Sequence, residues 1–269
     1  MFTADPPPEM TTEGVIDLSD GRQLGYAEYG PPDGDPLLLF HGTPGSRYTV
    51  GPDPPLLDEY GFRLISLERP GFGKSTFDPD REILDWPADV QEAIEVLDLD
   101  QFAILGGSGG GPYVLACAVR IPERLTAVGV VSGISPLDAA GVTDEMAIHS
   151  RIAFKLFPLP GVMWPFLWML TQTIRILPEH PGVTEGLRQG PKAPLYEHRL
   201  QTRSWGFDLS SISNHVHLWY GQQDTITPVT MGEYIADQVP SSSLQTYPAG
   251  GHLLLDEYGD EILSTPSNR

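Results

Sequence analysis

Three side chains of complementary chemistry lie far apart in this 269-residue chain: Ser108, Asp224 and His252. A serine hydroxyl is a poor nucleophile at neutral pH. It needs an imidazole to take its proton, and the imidazole needs a carboxylate to fix its tautomer and stabilise its charged form. Ser108 sits in Gly106-Gly107-Ser108-Gly109-Gly110, directly after the apolar run Phe102–Leu105 and before a small-residue helix opening near Pro112. A serine on so tight a strand-to-helix turn requires neighbours without side chains, and the helix N-terminus behind it favours developing negative charge. Taken alone, the pattern also fits an ordinary glycine-rich turn. The order serine, acid, histidine, each just past the carboxyl end of an expected strand, is harder to obtain by chance, because ligands of open α/β sheets bind at that edge.

The elements that must carry these residues can be read in order. Gly14–Leu18 and Gln23–Tyr29 read as strands joined by the turn Ser19-Asp20-Gly21. Pro36–Phe40 is a continuous apolar run, as expected of a strand buried on both faces, and Phe62–Leu67 repeats the strand pattern. They end in the loops His41-Gly42-Thr43-Pro44-Gly45-Ser46 and Glu68-Arg69-Pro70-Gly71-Phe72-Gly73. Arg81–Leu97 has helical spacing, Ala127–Val131 is a further strand, and His215–Tyr220 and Ser243–Tyr247 complete the set. Alternation of strand and helix with short connections implies a parallel sheet with right-handed crossovers.

That rhythm stops at Gly133. From Ile134 to about Ser213 no strand pattern occurs, and Leu156–Leu170 is the most apolar stretch of the chain. It is shorter than a membrane span and broken by three prolines, so short helices forming a lid are expected instead. Trp164, Trp168 and Met169 are candidates to line an acyl pocket, and would serve equally as packing residues. The expected organisation is a core of 1–133 and 214–269, with 1–13 a loose tail, and a helical cap at 134–213.

On these motifs the chain resembles the α/β-hydrolase superfamily over nearly its whole length. The residues that carry the resemblance are His41-Gly42-Thr43-Pro44-Gly45, Arg69-Pro70-Gly71-Phe72-Gly73, the Gly106–Gly110 elbow, Gly221-Gln222-Gln223-Asp224 and Gly251-His252. The resemblance implies a mostly parallel eight-stranded sheet flanked by helices, with a helical cap inserted after the sixth strand. It implies Ser108 as nucleophile, His252 as base and then acid, and Asp224 as orienting carboxylate. Backbone N–H groups of Thr43 and Gly109 would form the oxyanion hole. No cofactor and no metal are implied. Relatives with an aspartate nucleophile, such as haloalkane dehalogenases and many epoxide hydrolases, are disfavoured by Ser108. Proline iminopeptidases usually carry a second glycine where Thr43 stands and a tryptophan where Gly109 stands. The expected activity is therefore hydrolysis of a small or medium apolar carboxylic ester. Iminopeptidase-like, carbon–carbon bond hydrolase or perhydrolase chemistry on the same triad, and ligand binding without catalysis, are the alternatives.

Other motifs carry less. Gly73-Lys74-Ser75 ends like a phosphate-binding loop, but Glu68 stands where that loop needs its first glycine. His215-x-His217 has no third ligand nearby and reads as packing and surface. Asp138 is a second, lower-ranked candidate for the triad acid, and His41 reads as a buttress of its loop. Thirty-six acidic against 16 basic residues give a formal charge of −20, which disfavours nucleic acid and anionic membrane and leaves a small molecule as the expected partner. Lysine occurs only at 74, 155 and 192, a pattern resembling the proteins of salt-loving organisms. The lone Cys117 reads as a buried thiol in a reducing compartment, and the N-terminus shows no targeting pattern, so a cytoplasmic location is expected.

Overall fold

Apolar runs such as Pro36–Phe40 and Phe102–Leu105 dictate the centre of the molecule. In the computed structural model, which describes residues 10–49, 51, 54–156, 161, 164–165, 168–169, 171–173 and 181–267, they lie inside one eight-stranded sheet whose outer strands are more polar. Its strands are β1 (Thr12–Asp17), β2 (Gln23–Tyr29), β3 (Asp35–Phe40), β4 (Phe62–Leu67), β5 (Phe102–Gly107), β6 (Leu125–Val131), β7 (Val216–Gly221) and β8 (Ser242–Tyr247). The spatial order is β1-β2-β4-β3-β5-β6-β7-β8. β2 runs antiparallel to β1 and β4, and every other neighbouring pair is parallel.

Successive side chains of a strand point to opposite faces, so each run feeds two cores. Leu38, Phe40, Ile65, Leu67, Ile104, Val128 and Val130 face one way. They pack under α2 (Trp86–Val96), α3 (Gly111–Arg120) and α7 (Val229–Gln238). Leu37, Leu39, Leu64, Ala103, Leu105 and Trp219 face the other way, under α1 (Pro54–Tyr60) and α8 (Gly259–Ser267), which contribute Leu57, Ile262 and Leu263. Each such side chain removed from water contributes about 2 kcal/mol, which explains why helices cover both faces.

Two details differ from the sequence reading. β1 begins at Thr12, inside the stretch expected to be a tail, while residues 1–9 lie outside the described residues. The expected helix from Arg81 opens instead with a 3-10 turn, Ile83–Asp85, closed by a reciprocal capping box between Glu82 and Asp85; Pro87 then occupies the first turn of α2. Between β6 and β7 the described residues contain no strand: α4 (Ile148–Leu156), α5 (Pro181–Gly186) and α6 (Lys192–Gln201) lie there, and part of the apolar stretch 156–170 falls outside the described residues. Among the described residues no helix is long and apolar enough to cross a membrane.

The register explains how distant loops meet. Phe40 pairs with Gly106 and Leu67 with Phe40, so the loops after β3, β4 and β5 leave the sheet side by side. Gly221 pairs with Tyr247, bringing together the loops after β7 and β8. All five emerge at the carboxyl edge.

Candidate active site

The turn after β5 is as tight as its glycines suggest. Ser108 has a φ of 51°, in the left-handed region that non-glycine residues avoid, so the backbone strain is concentrated on that serine. A Cβ on Gly110 would stand 2.1 Å from the carbonyl oxygen of Phe40, and one on Gly106 would stand 2.6 Å from Val114. Neither position admits another residue while β3, β5 and α3 stay in place.

Asp224 and His252 reach Ser108 from the far strands. The loop after β7 folds back so that Asp224 Oδ1 accepts the backbone N–H groups of Ile226 (2.8 Å) and Thr227 (3.0 Å). The Thr227 hydroxyl donates to Asp224 Oδ2 at 2.7 Å, and His252 Nδ1 donates to the same oxygen at 2.7 Å. A carboxylate can only accept, so the imidazole carries its proton on Nδ1 and leaves Nε2 bare. Nε2 lies 3.2 Å from Ser108 Oγ. Burial raises the pKa of Asp224, but the bond and charge of His252 and the bonds from Thr227 outweigh it and hold it below the ordinary aspartate range. Asp138 is exposed in the turn after β6, and the carboxylate bound to His252 is that of Asp224.

The two peptides expected to form the oxyanion hole are each anchored at their carbonyl end. In a trans peptide the N–H points opposite to the C=O, so fixing one aims the other. The Ser108 carbonyl accepts the Ile134 N–H at 3.2 Å, which orients the N–H of Gly109. The Gly42 carbonyl accepts His41 Nδ1 at 2.7 Å and Arg69 Nη2 at 3.2 Å, which orients the N–H of Thr43. His41 Nε2 accepts the Arg69 backbone N–H at 3.3 Å, consistent with a neutral ring. Burial and then the charge of Arg69 push the His41 pKa well below the usual histidine value. His41 is a buttress, as its sequence context suggests.

Behind this loop lies a buried charge cluster that the sequence did not reveal. Arg69 Nε donates to Glu197 Oε1 at 2.7 Å, and Glu197 Oε2 accepts from Arg81 Nη2 and from the Tyr113 hydroxyl, the latter at 2.9 Å. Arg69 and Glu197 are fully buried and Arg81 nearly so. Burial would raise the pKa of Glu197, but the charges of Arg69 and Arg81, with hydrogen bonds from Arg81 and Tyr113, bring it down to about 2. Gln201, one turn further along α6, donates from Nε2 to the Gly109 carbonyl at 3.2 Å. Glu197 and Gln201 lie 128 and 92 residues from the partners they hold, so no local motif could announce them. A second ion cluster ties α5 to the core: Arg47 Nη1 bonds Glu68 at 2.7 Å and Glu185 at 2.8 Å.

Above Ser108 opens a cavity of about 600 Å³. Leu39, Val131 and Ile134 form its floor beside Ser108, and Phe154, Leu187 and Pro194 come from the insertion. Ile226 and Leu253, exposed by 40% and 62%, stand at its rim. Trp164, Trp168 and Met169 do not line it. They are exposed by 44%, 54% and 57%, and Phe154 of α4 is an aromatic side chain of the insertion that does line it. His215 and His217 lie far from this edge, at the start of β7, bonded to Ser241 and Ser243.

Comparison with known proteins agrees with this fold. The profile of the alpha/beta hydrolase fold matches residues 35–178. The chain is 30% identical to the haloalkane dehalogenase of Psychrobacter cryohalolentis, over 92% of this chain and 88% of that one. It is 32% identical to the non-heme chloroperoxidase of Streptomyces lividans, but that match spans only 46% of each chain. The crystal structure of a hydrolase from Pseudomonas aeruginosa PA01 superposes with a TM-score of 0.72 at 20% identity, covering 94% of this chain and 96% of that one. With a matching profile over more than half its length and a relative aligned nearly end to end, the chain belongs to the alpha/beta hydrolase fold family.

Proposed function

We propose that this chain is a serine hydrolase that cleaves a small or medium apolar carboxylic ester through an acyl-enzyme. The observation that carries the reading is the continuous hydrogen-bonded path Asp224–His252–Ser108 opening onto an apolar cavity. Ser108 Oγ attacks the ester carbonyl while His252 Nε2 takes its proton. Two electrons of the carbonyl double bond move onto the oxygen, which faces the N–H groups of Thr43 and Gly109. Collapse of that intermediate breaks the ester C–O bond, and His252 returns the proton to the leaving alkoxide. Water then repeats the sequence on the acyl-enzyme, releasing the acid and restoring Ser108. Asp224 stays ionised throughout and stabilises the imidazolium.

The choice of a neutral ester rests on the walls of the cavity. Among the described lining residues there is no arginine or lysine to pair with a substrate carboxylate. A nucleophilic alcohol, rather than a carboxylate, at position 108 favours acyl transfer over displacement at an alkyl halide. Residues 134–213 act in this reading as a cap that shapes the acyl pocket, over a core of 1–133 and 214–269.

The test is a panel of nitrophenyl esters of rising acyl length. Turnover is expected on short and medium chains and falls for longer ones, and Ser108→Ala removes it while the fold persists. Hydrolysis undiminished in Ser108→Ala ends the proposal.

A further inference from the structure

Thr43 enters the account above through its backbone N–H. Its side chain carries a separate signal. Thr43 Oγ1 accepts a hydrogen bond from Arg69 Nη2 at 3.1 Å and a longer one from Gln201 Nε2 at 3.5 Å. A guanidinium can only donate. The Gln201 amide is oriented by the Gly109 carbonyl, which demands the nitrogen on that side, so Gln201 also presents a donor. A hydroxyl oxygen has two lone pairs and one hydrogen. With donors on both acceptor directions, the hydrogen is left to the remaining one.

Thr43 is half-buried at the wall of the cavity. Among the described residues the Thr43 hydroxyl donates to no carbonyl or carboxylate, and Thr43 lines the cavity beside Ser108. Its Oγ1 lies 2.5 Å from where a Cβ on Gly109 would stand, so the hydroxyl rests against the residue whose N–H is the other oxyanion donor. Resting on the ester-hydrolase reading, we infer that the Thr43 hydroxyl is a third donor to the substrate oxyanion, held in that role by Arg69 and Gln201. A hydroxyl that accepts from a cation donates more strongly. Arg69, fully buried, thus passes its field to the reacting oxygen without entering the pocket. Gln201 is a positioning residue, and through it the insertion completes a site otherwise built by the core.

Two variants isolate the hydroxyl: Thr43→Val, which keeps a β-branched shape, and Thr43→Ser, which keeps the O–H. The readouts are kcat and KM on a nitrophenyl ester, the inhibition constant of a trifluoromethyl ketone of matching acyl length, and the rate of Ser108 labelling by a fluorophosphonate. Thr43→Val is expected to lower kcat roughly 100-fold with KM within about twofold, and to weaken the ketone, which forms an oxyanion, by a similar factor. Thr43→Ser should recover most of both, and thermal midpoints of both variants should stay near that of the parent. Thr43→Val retaining kcat and ketone affinity within about threefold overturns the inference. So does an equal loss in Thr43→Ser, which would assign the effect to loop packing. The labelling rate separates this inference from the reading it rests on. A parent protein that is labelled but turns over no ester refutes the ester reading, and slower labelling of Thr43→Val would still support the third donor. A parent that is neither labelled nor active overturns both.

Discussion

Replacing Glu197 by glutamine leaves the side-chain volume of α6 almost unchanged but removes the only carboxylate that bonds Arg69 and Arg81 among the described residues. Its magnitude follows from the folded-state pKa. Moving a glutamate from an ordinary 4.5 to about 2 stabilises the folded chain by about 3 kcal/mol at neutral pH. That agrees with the roughly 3–5 kcal/mol lost when one partner of a buried ion pair is removed. In a chain of this size it corresponds to a midpoint lower by roughly 6–12 °C. Because the folded-state pKa is depressed, the contribution is present in full above 4.5 and fades as pH falls toward about 2. Urea unfolding of parent and Glu197→Gln should therefore show a gap of about 3 kcal/mol at neutral pH that closes across that acid window. The variant should also lose kcat beyond its loss of folded protein, since Arg69 would no longer be held against Gly42 and Thr43. A gap below about 1 kcal/mol, or one independent of pH, would refute the assignment of this cluster as the buttress of the oxyanion loop.

Other outcomes follow from the same geometry. Asp224→Asn keeps the contacts to the 226 and 227 amides but presents a donor to His252 Nδ1, forcing the wrong tautomer; kcat should fall by about four orders of magnitude with little change in thermal midpoint, and a loss under tenfold would contradict the role given to the carboxylate. Gly110→Ala places a Cβ 2.1 Å from the Phe40 carbonyl oxygen and should lower stability by about 3 kcal/mol or more, read as a drop in midpoint, whereas a midpoint equal to that of the parent would mean the elbow can relax. With a formal charge of −20, raising salt from about 0.1 to 1 M shortens the screening length from about 10 to 3 Å and should raise the midpoint, while an unchanged or lower midpoint would argue that the acidic surface carries no net repulsion.

The carboxyl edge that gathers Ser108, Asp224 and His252 is legible because its signals are local. A glycine-flanked serine after an apolar run, and loops ending in Asp224 and His252 after two others, each mark a strand end in a handful of residues. β2 and β4 occur as read, Gln23–Tyr29 and Phe62–Leu67, because a turn signal or a glycine-rich loop marks an end of each. Glu68 stands where a phosphate loop needs glycine, and in the structure its carboxylate accepts the Lys74 N–H at 2.7 Å and a bond from Arg47 Nη1 at 2.7 Å. What stayed hidden depends on tertiary contact. Glu197 and Gln201 sit in a helix of mixed polarity whose sequence gives no hint that its acid is fully buried. The tryptophans of the insertion show the converse: hydrophobicity reports that a side chain prefers burial, not which surface it covers, and Trp164 and Trp168 are exposed.

The most direct measurement is a rapid-mixing record of nitrophenolate release from a short-chain nitrophenyl ester, paired with mass analysis of the quenched protein. An acyl-enzyme routed through Ser108 predicts a burst approaching one equivalent per chain, the acyl mass on the peptide containing Ser108, and neither in Ser108→Ala. Steady hydrolysis that survives in Ser108→Ala, or an acyl group found on another residue, would contradict it.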